Sequence, residues 1–486
     1  MIPLRRPPKG HPGMGHNPHD DPQLTDDLWA DGPSYIASDK PLARLVARPV
    51  REFLRVESAG SVLLLAAAAI ALVWANSPFA ASYDAFWHAH LAIDVGPLHL
   101  DESLQHWVND ALMVIFFFVV GLEIKYELVK GDLRDPRTAA LPIVAAVGGM
   151  AVPAGLYLLL NGPGSPGATG WGIPMATDIA FAVGVLGLLG RRIPSAARLF
   201  LLTLAIADDI GAILVIAVFY TSDLDLAWLA VSVGVLALMV ALRVLRVWTV
   251  VVYLVLGVVA WFALLQSGVH ATLSGVAIGL IAPATALYKE DTVRHYARTA
   301  LRDDELNPDE LFRLSSLLRG AVPPVESLQS ALHPVSSYVV LPVFALANAG
   351  VPLTGFGDAI TSPVALGILL GLVVGKPLGI LVATWLAVRL GLGDLPEGTS
   401  WTMVLGLGMV AGIGFTVSLF IAQLSFPSDD LTSDAKIGIL VASAVAAVLG
   451  VLLLLLAARR EGDGSAPDDD RPEEAAPAGA SVATQP

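Results

Sequence analysis

Apolar residues run along this chain in long stretches broken by short polar ones. The pattern has neither the two-residue period of a half-buried strand nor the 3.6-residue stripe of a surface helix. A helix that crosses a bilayer needs about 20 such residues. Twelve stretches fit, near 57–75, 105–127, 139–160, 171–189, 197–220, 227–245, 249–265, 268–285, 335–349 with some preceding residues, 364–388, 403–425 and 435–458. The segment 249–285 reads either as two short helices or as one long bent one, since only Gln266–Ser267–Gly268 divides it.

Lys and Arg test this count, because they collect in short cytoplasmic loops. Lys40, Arg44, Arg48, Arg51 and Arg55 precede the first stretch, and the loop 76–104 has no Lys or Arg. Lys125, Lys130, Arg134 and Arg137 follow the second stretch, and 161–170 again has none. The alternation continues through Arg191 and Arg192, Arg243 and Arg246, the basic loop 286–333 and Arg389, to Arg459 and Arg460. It predicts an even number of spans with both termini in the cytoplasm. Trp74, Trp107, Trp171 and Trp228 fall at predicted outer ends, the interface that amphipathic rings favour. In the first outer loop Leu91, Ile93 and Val95 alternate with polar or small residues before Gly96–Pro97, which predicts a short hairpin.

Composition supports a membrane solvent. Charged residues make up 15% of the chain, against about 25% in soluble proteins, and the mean hydropathy is +0.68. The net charge is −14, and runs of acidic residues such as Asp20–Asp21, Asp26–Asp27 and Asp468–Asp470 lie in the polar tails at 1–56 and 460–486, both read as disordered. The organisation is therefore a cytoplasmic N-terminal tail (1–56), a membrane domain (57–459) with a long cytoplasmic loop at 286–333, and an acidic cytoplasmic tail (460–486). No cleavable signal peptide is expected, because the first apolar run follows a polar tail. There is no cysteine, which excludes disulfides, thiolate metal sites and Cys nucleophiles. Nothing suggests a nucleic-acid-binding face, and His11, His16 and His19 read as part of a solvated tail.

An ionisable residue at mid-bilayer costs roughly 2.5–3.5 kcal/mol on insertion scales, so those retained there need an explanation. Asp208 and Asp209 lie together in the middle of an apolar stretch. Neighbours on a helix point about 100° apart, so both cannot reach one polar edge. Adjacent carboxylates oppose double ionisation, and hard cations prefer oxygen ligands, which suits a site that takes either protons or sodium. Asp178, with Thr177, sits where Gly172, Pro174 and Gly184 weaken a helix. It reads either as part of a discontinuous helix that binds ions or as an N-capping Asp in a kinked one. Lys376 precedes Pro377 at mid-span and either neutralises an aspartate or satisfies carbonyls freed by the proline. Gly406, Gly408, Gly412 and Gly414 mark a second candidate break, although tight packing gives the same pattern. Asp110 and Glu123 lie nearer the interfaces, and His270 is either a pH-sensitive group or a buried structural histidine. Gly391–Leu392–Gly393–Asp394 matches the GxGD of intramembrane aspartyl proteases but falls in a loop before Pro396.

Eight segments in one order carry a resemblance. VNDALMVIFFFVVGLEIKYEL (108–128), ATDIAFAVGVLGLLGRR (176–192), LAIADDIGAILVIAVFYT (204–221), SGVHATLSG (267–275), LPVFALANAGV (341–351), VGKPLGI (374–380), LPEGT (395–399) and GIGFTVSLFIA (412–422) resemble NhaA-type sodium/proton antiporters. The family is one of the known examples of inverted-topology repeats. The resemblance implies an all-α polytopic membrane protein of twelve helices with inverted repeats, in which spans IV and XI are interrupted and cross. Asp208 and Asp209 would bind Na+ and protons with Thr177 beside them, while Asp178 balances the positive half-helix ends and Lys376 the negative ends or Asp208. Glu123 would line the cytoplasmic approach and Asp110 would sit toward the outer face. The hairpin would mediate a homodimer in the bacterial inner membrane. One departure stands out, since Gln329 and Ser330 occupy positions where the family often has an acidic residue and a His. That places its cytoplasmic pH sensing in question, with Glu326 a candidate substitute.

These readings together predict a secondary transporter, not an enzyme. It would exchange intracellular Na+ or Li+ for extracellular H+, electrogenically and under pH control, with no cofactor. The alternatives are an intramembrane aspartyl protease and a proton-coupled carrier of an organic solute.

Overall fold

Where water is absent, each backbone N–H and C=O must be satisfied inside its own segment, which makes helices of apolar stretches. The protein is described by a computed structural model over residues 59–464, apart from 96–97, 222–223, 246, 248 and 301–307. The tail assigned to 1–56 and the part of the 460–486 tail beyond 464 lie outside the described residues, while residues 460–464, expected as disordered tail, continue the last helix.

Helix α1 (Ala59–Ala75) bends by 116° into the short α2 (Ala80–Trp87). An antiparallel hairpin follows, β1 (His90–Val95) and β2 (Leu98–Ser103), with Ile93 opposite Leu100. The hairpin expected from the alternation is therefore present. Next come α3 (Leu104–Trp107), a wide π turn (Val108–Leu112) and α4 (Met113–Val129). Helix α5 (Pro136–Leu160) starts on Asp135, which accepts from the Arg137 N–H, with proline in the first turn where no N–H is needed.

The following stretch is divided. A 3-10 segment (Ala168–Met175) gives way to extended backbone at Ala176, and α6 (Ile179–Leu189) begins only after Asp178. Then come α7 (Ser195–Phe219), α8 (Leu226–Val244), α9 (Val250–Gln266) and α10 (Leu273–Ile281). The expected stretch 268–285 thus holds a helix of nine residues. Gly268, at φ +79°, turns the chain after α9, and Pro283 forces Ala282 out of the helical region.

The segment 286–333, expected as a loop, contains α11 (Glu290–Ala300), α12 (Pro308–Ala321) and most of α13 (Pro324–Val335). A second π turn (Ser336–Val340) leads into α14 (Leu341–Asn348), followed by α15 (Phe356–Thr361) and α16 (Pro363–Leu370). A third π turn (Gly371–Gly375) joins α16 to α17 (Lys376–Arg389). The last elements are α18 (Trp401–Ala411), α19 (Phe415–Ser425), bent 48° from it, and α20 (Asp429–Gly464).

Among the described residues seven helical segments are long and apolar enough to cross a bilayer, or nine if each bent pair is one span. The protein is therefore an all-α membrane protein with many spans. Its surface agrees, since Val231, Val233 and Leu238 of α8 and Val251, Leu254 and Val258 of α9 are all exposed, as expected of side chains facing lipid.

Small residues set the close approaches around the interior. A Cβ at Gly121 of α4 would lie 2.6 Å from the Val276 carbonyl of α10, so the backbones touch where Gly275 and Gly279 form a small-xxx-small stripe. Gly148 of α5 and Gly379 of α17 meet in the same way, and this contact brings Lys376 into the interior.

Candidate ion-binding site

The broken stretches satisfy one another. When a helix is interrupted in the membrane, the carbonyls and N–H groups at the break lose their helical partners and need others. Here the partners come from the opposite break. The Asp178 N–H donates to the Ile413 carbonyl at 2.7 Å, and the Thr177 hydroxyl lies 2.9 Å from the Ala411 carbonyl. The Ser418 hydroxyl donates to the Ile173 carbonyl at 2.8 Å, and the Lys376 ammonium donates to the Met175 carbonyl. The two interrupted stretches are thus bound to each other at their breaks.

The Asp178 carboxylate accepts from the Phe181 N–H (2.9 Å), the Thr416 N–H (3.0 Å) and the Thr416 hydroxyl (2.5 Å). It therefore caps the N-termini of both α6 and α19, where the helix dipoles present partial positive charge. Lys376 sits at the opposite kind of end, on the last carbonyl of the 3-10 half.

Helix α7 carries Asp208 and Asp209 into this centre. Asp208 Oδ2 accepts from Lys376 Nζ at 2.6 Å and from the Thr177 hydroxyl at 2.7 Å. Thr177 has one hydroxyl proton, so Asp208 and the Ala411 carbonyl compete for it. Asp208 Oδ1 is buried and has no hydrogen-bond partner among the described residues. Asp209 is only 5% exposed, and no hydrogen bond reaches its carboxylate from any described residue. It feels the charges of Asp208, Glu123, Lys376 and Asp178. Lys376, Thr177, Asp178 and Asp208 are all at most 1% exposed, so the centre is dry. Buried polar groups normally find partners. Asp208 Oδ1 and the Asp209 carboxylate therefore form an unsatisfied anionic site suited to a hard monovalent cation or to protons. Among the described residues no three His, Asp or Glu side chains gather as a resident transition-metal site requires.

The other expected residues lie elsewhere. Glu123 of α4 is half-buried and lies near Gln329. Glu326 pairs with Lys130 at 2.5 Å across a partly exposed gap, a contact worth about 0–1 kcal/mol. Asp110 and His270 touch neither aspartate of the pair. They line a cavity of about 1200 Å3 at the end of the molecule that carries α2, and His270 is hydrogen bonded to the Tyr220 carbonyl at 2.6 Å. Asp394 of the GxGD sequence is exposed in the turn beyond α17 and meets no second carboxylate.

The sequence reading did not single out Thr416, which supplies two of the three bonds to Asp178. Its signal was its position, a hydroxyl two residues beyond a Gly-x-Gly break and hence near a helix start. Lys436, which lines the cavity from α20, was missed as well.

Fold and site together define a many-spanning membrane protein with a water-excluded centre of paired carboxylates and one ammonium, the equipment of an ion-coupled transporter. The sequence matches the Na+/H+ antiporter 1 family over residues 51–454, and the chain belongs to that family. It is 46% identical to the Na(+)/H(+) antiporter NhaA 2 of Sorangium cellulosum, over 88% of this chain and 94% of that protein. It is 49% identical to the Na(+)/H(+) antiporter NhaA 2 of Myxococcus xanthus, over 85% and 90%, and 48% identical to the Na(+)/H(+) antiporter NhaA 3 of Frankia alni, over 84% and 88%.

Proposed function

We propose that the protein exchanges intracellular sodium, or lithium, for extracellular protons, with Asp208 and Asp209 as the shared binding site and Thr177 beside it. The observation that carries this reading is an Asp208 oxygen and an Asp209 carboxylate without hydrogen bonds among the described residues, in an interior where neutralisation must come from something that enters. A cation and protons compete for the same carboxylates, so one leaves as the other arrives. Alternating access then couples the two gradients without any covalent step. Lys376 holds Asp208 while no cation is bound, and Asp178 offsets the positive half-helix ends. If two protons displace each sodium ion, the exchange moves net charge.

The wider architecture belongs to the same proposal. Twelve spans with both termini in the cytoplasm are supported by the alternation of basic loops, and the inverted repeats and the bacterial inner membrane by the family resemblance. Spans IV and XI, interrupted at 176–178 and 412–414, cross at their breaks. The hairpin at 90–103 joins two copies as a homodimer. Asp110 serves the outer path and Glu123 the cytoplasmic one. A pH response on the cytoplasmic side would run through Glu123, Gln329 and the Lys130–Glu326 pair.

Purified protein in vesicles carrying an internal pH dye tests the exchange. Added external sodium should draw protons outward from the lumen, and lithium should do the same, while potassium should not. Proton movement that required an organic solute would contradict this reading.

A further inference from the structure

Four amide side chains gather between the cavity and the aspartates. Asn348 ends α14, is 0% exposed and is the hub. Its Oδ1 accepts from Gln423 Nε2 of α19 at 2.8 Å, from Gln105 Nε2 of α3 at 3.1 Å and from Asn109 Nδ2 of the following π turn at 3.5 Å. Its Nδ2 donates to Asn109 Oδ1 at 2.8 Å and to the Phe344 carbonyl at 3.0 Å. Gln105, Asn109 and Gln423 line the cavity, and Asn348 lies behind them.

Beside and below this layer is an aromatic one, of which Phe420 also reaches the cavity wall. Phe420 packs on Phe117 with ring centres 5.2 Å apart and on Phe344 at 6.4 Å, all three rings being buried. Below that is the site itself. On α19, Gln423, Phe420 and Thr416 follow at helical spacing, so one face carries the amide, the ring and the ligand of Asp178 in order. On α14, Asn348 stands one turn from Phe344. On α4, Phe117 stands one turn from Val120, and Val120 one turn from Glu123.

We infer that Asn348 is the latch of a gate on the cavity side, tying α19 to α3, α14 and the start of α4 and thereby holding the Phe117–Phe344–Phe420 layer shut over the aspartates. Asn348 is a positioning residue, and its role rests on the alternating-access reading above. The chemistry suits a gate. An amide network left unpaired in a dry interior is costly, so the closed form is well defined. Water that enters from the cavity replaces these bonds with comparable ones, so opening is inexpensive. Neutral amides also place no fixed charge in the path of the cation. An opening in which α19 moves parts Gln423 from Asn348, because α19 bears Gln423, the Phe420 ring and Thr416, the partner of Asp178.

The absence of cysteine makes a single introduced thiol a clean reporter. In oriented vesicles, Ser433→Cys, which lines the cavity, marks the cavity side by its reaction with a membrane-impermeant maleimide. Val120→Cys then reports access beneath the aromatic layer. Adding Asn348→Ala should raise the labelling of Val120→Cys from the cavity side about tenfold and lower it from the opposite side, since the population shifts between two states. Gln423→Leu should move both rates in the same directions and keeps the test available if Asn348→Ala does not fold. Unchanged labelling from the cavity side, or a rise from both sides as in general loosening, would overturn the latch. If sodium failed to shift Val120→Cys labelling between sides without any latch substitution, alternating access itself would fail. That outcome is distinguishable because it precedes any change at Asn348.

Discussion

Asp209→Asn is expected to abolish sodium-driven proton flux in vesicles while the protein remains folded. Asn has nearly the shape of Asp, and the Asp209 carboxylate has no hydrogen bond from the described residues to lose. What disappears is the negative charge that a dehydrated cation needs and the oxygen that a proton can occupy. A cation buried without its counter-charge loses at least about 3 kcal/mol, or more than about a hundredfold in occupancy. Thermal unfolding in detergent should be unchanged or slightly raised, since an unpaired buried charge has been removed. Residual flux within about threefold of the unsubstituted protein would place the ion elsewhere.

The second large effect falls on stability. Lys376 is 0% exposed and supplies the ammonium that holds Asp208 and the Met175 carbonyl. Lys376→Met fits the space but leaves Asp208 as an uncompensated buried charge and Met175 without its donor. Breaking a buried pair from one side costs about 3–5 kcal/mol, far more than the exposed Lys130–Glu326 pair could contribute. Adding Asp208→Asn removes the stranded charge, so the double variant should recover much of the loss. It should not recover transport, because half the carboxylate pair is gone. Denaturation curves for the two single variants and the double variant check this. Additive losses would mean that the 2.6 Å contact contributes nothing to the folded state.

Much of this centre was legible in the sequence because charge in an apolar stretch is rare enough to need a reason. Asp208, Asp209 and Lys376 stand out on that ground alone, and Thr177 with Asp178 stands out through the weakened helix around Pro174. The hairpin was legible from its alternation. Other features depend on contacts between distant segments. Thr416 and Ser418 look like ordinary small polar residues until the opposite break supplies their partners, Asp178 and the Ile173 carbonyl. Asn348, Gln105, Asn109 and Gln423 are scattered along the chain, and only packing gathers them. The π turns at Val108–Leu112, Ser336–Val340 and Gly371–Gly375 leave little mark in hydropathy, since one extra residue per turn does not change an apolar run. The shortness of α10 follows from Gly268, which the sequence already marks as a divider, and from Pro283, which a hydropathy reading averages away.

The central claim is that sodium and protons neutralise the same carboxylates by turns. Proton release on adding sodium to the purified protein in weakly buffered detergent solution measures this without any membrane gradient. The unsubstituted protein should release protons in proportion to the sodium bound, and Asp208→Asn/Asp209→Asn should release none. Sodium binding at full affinity with no proton released would contradict the claim, because two ions that do not exclude each other cannot be exchanged through one site.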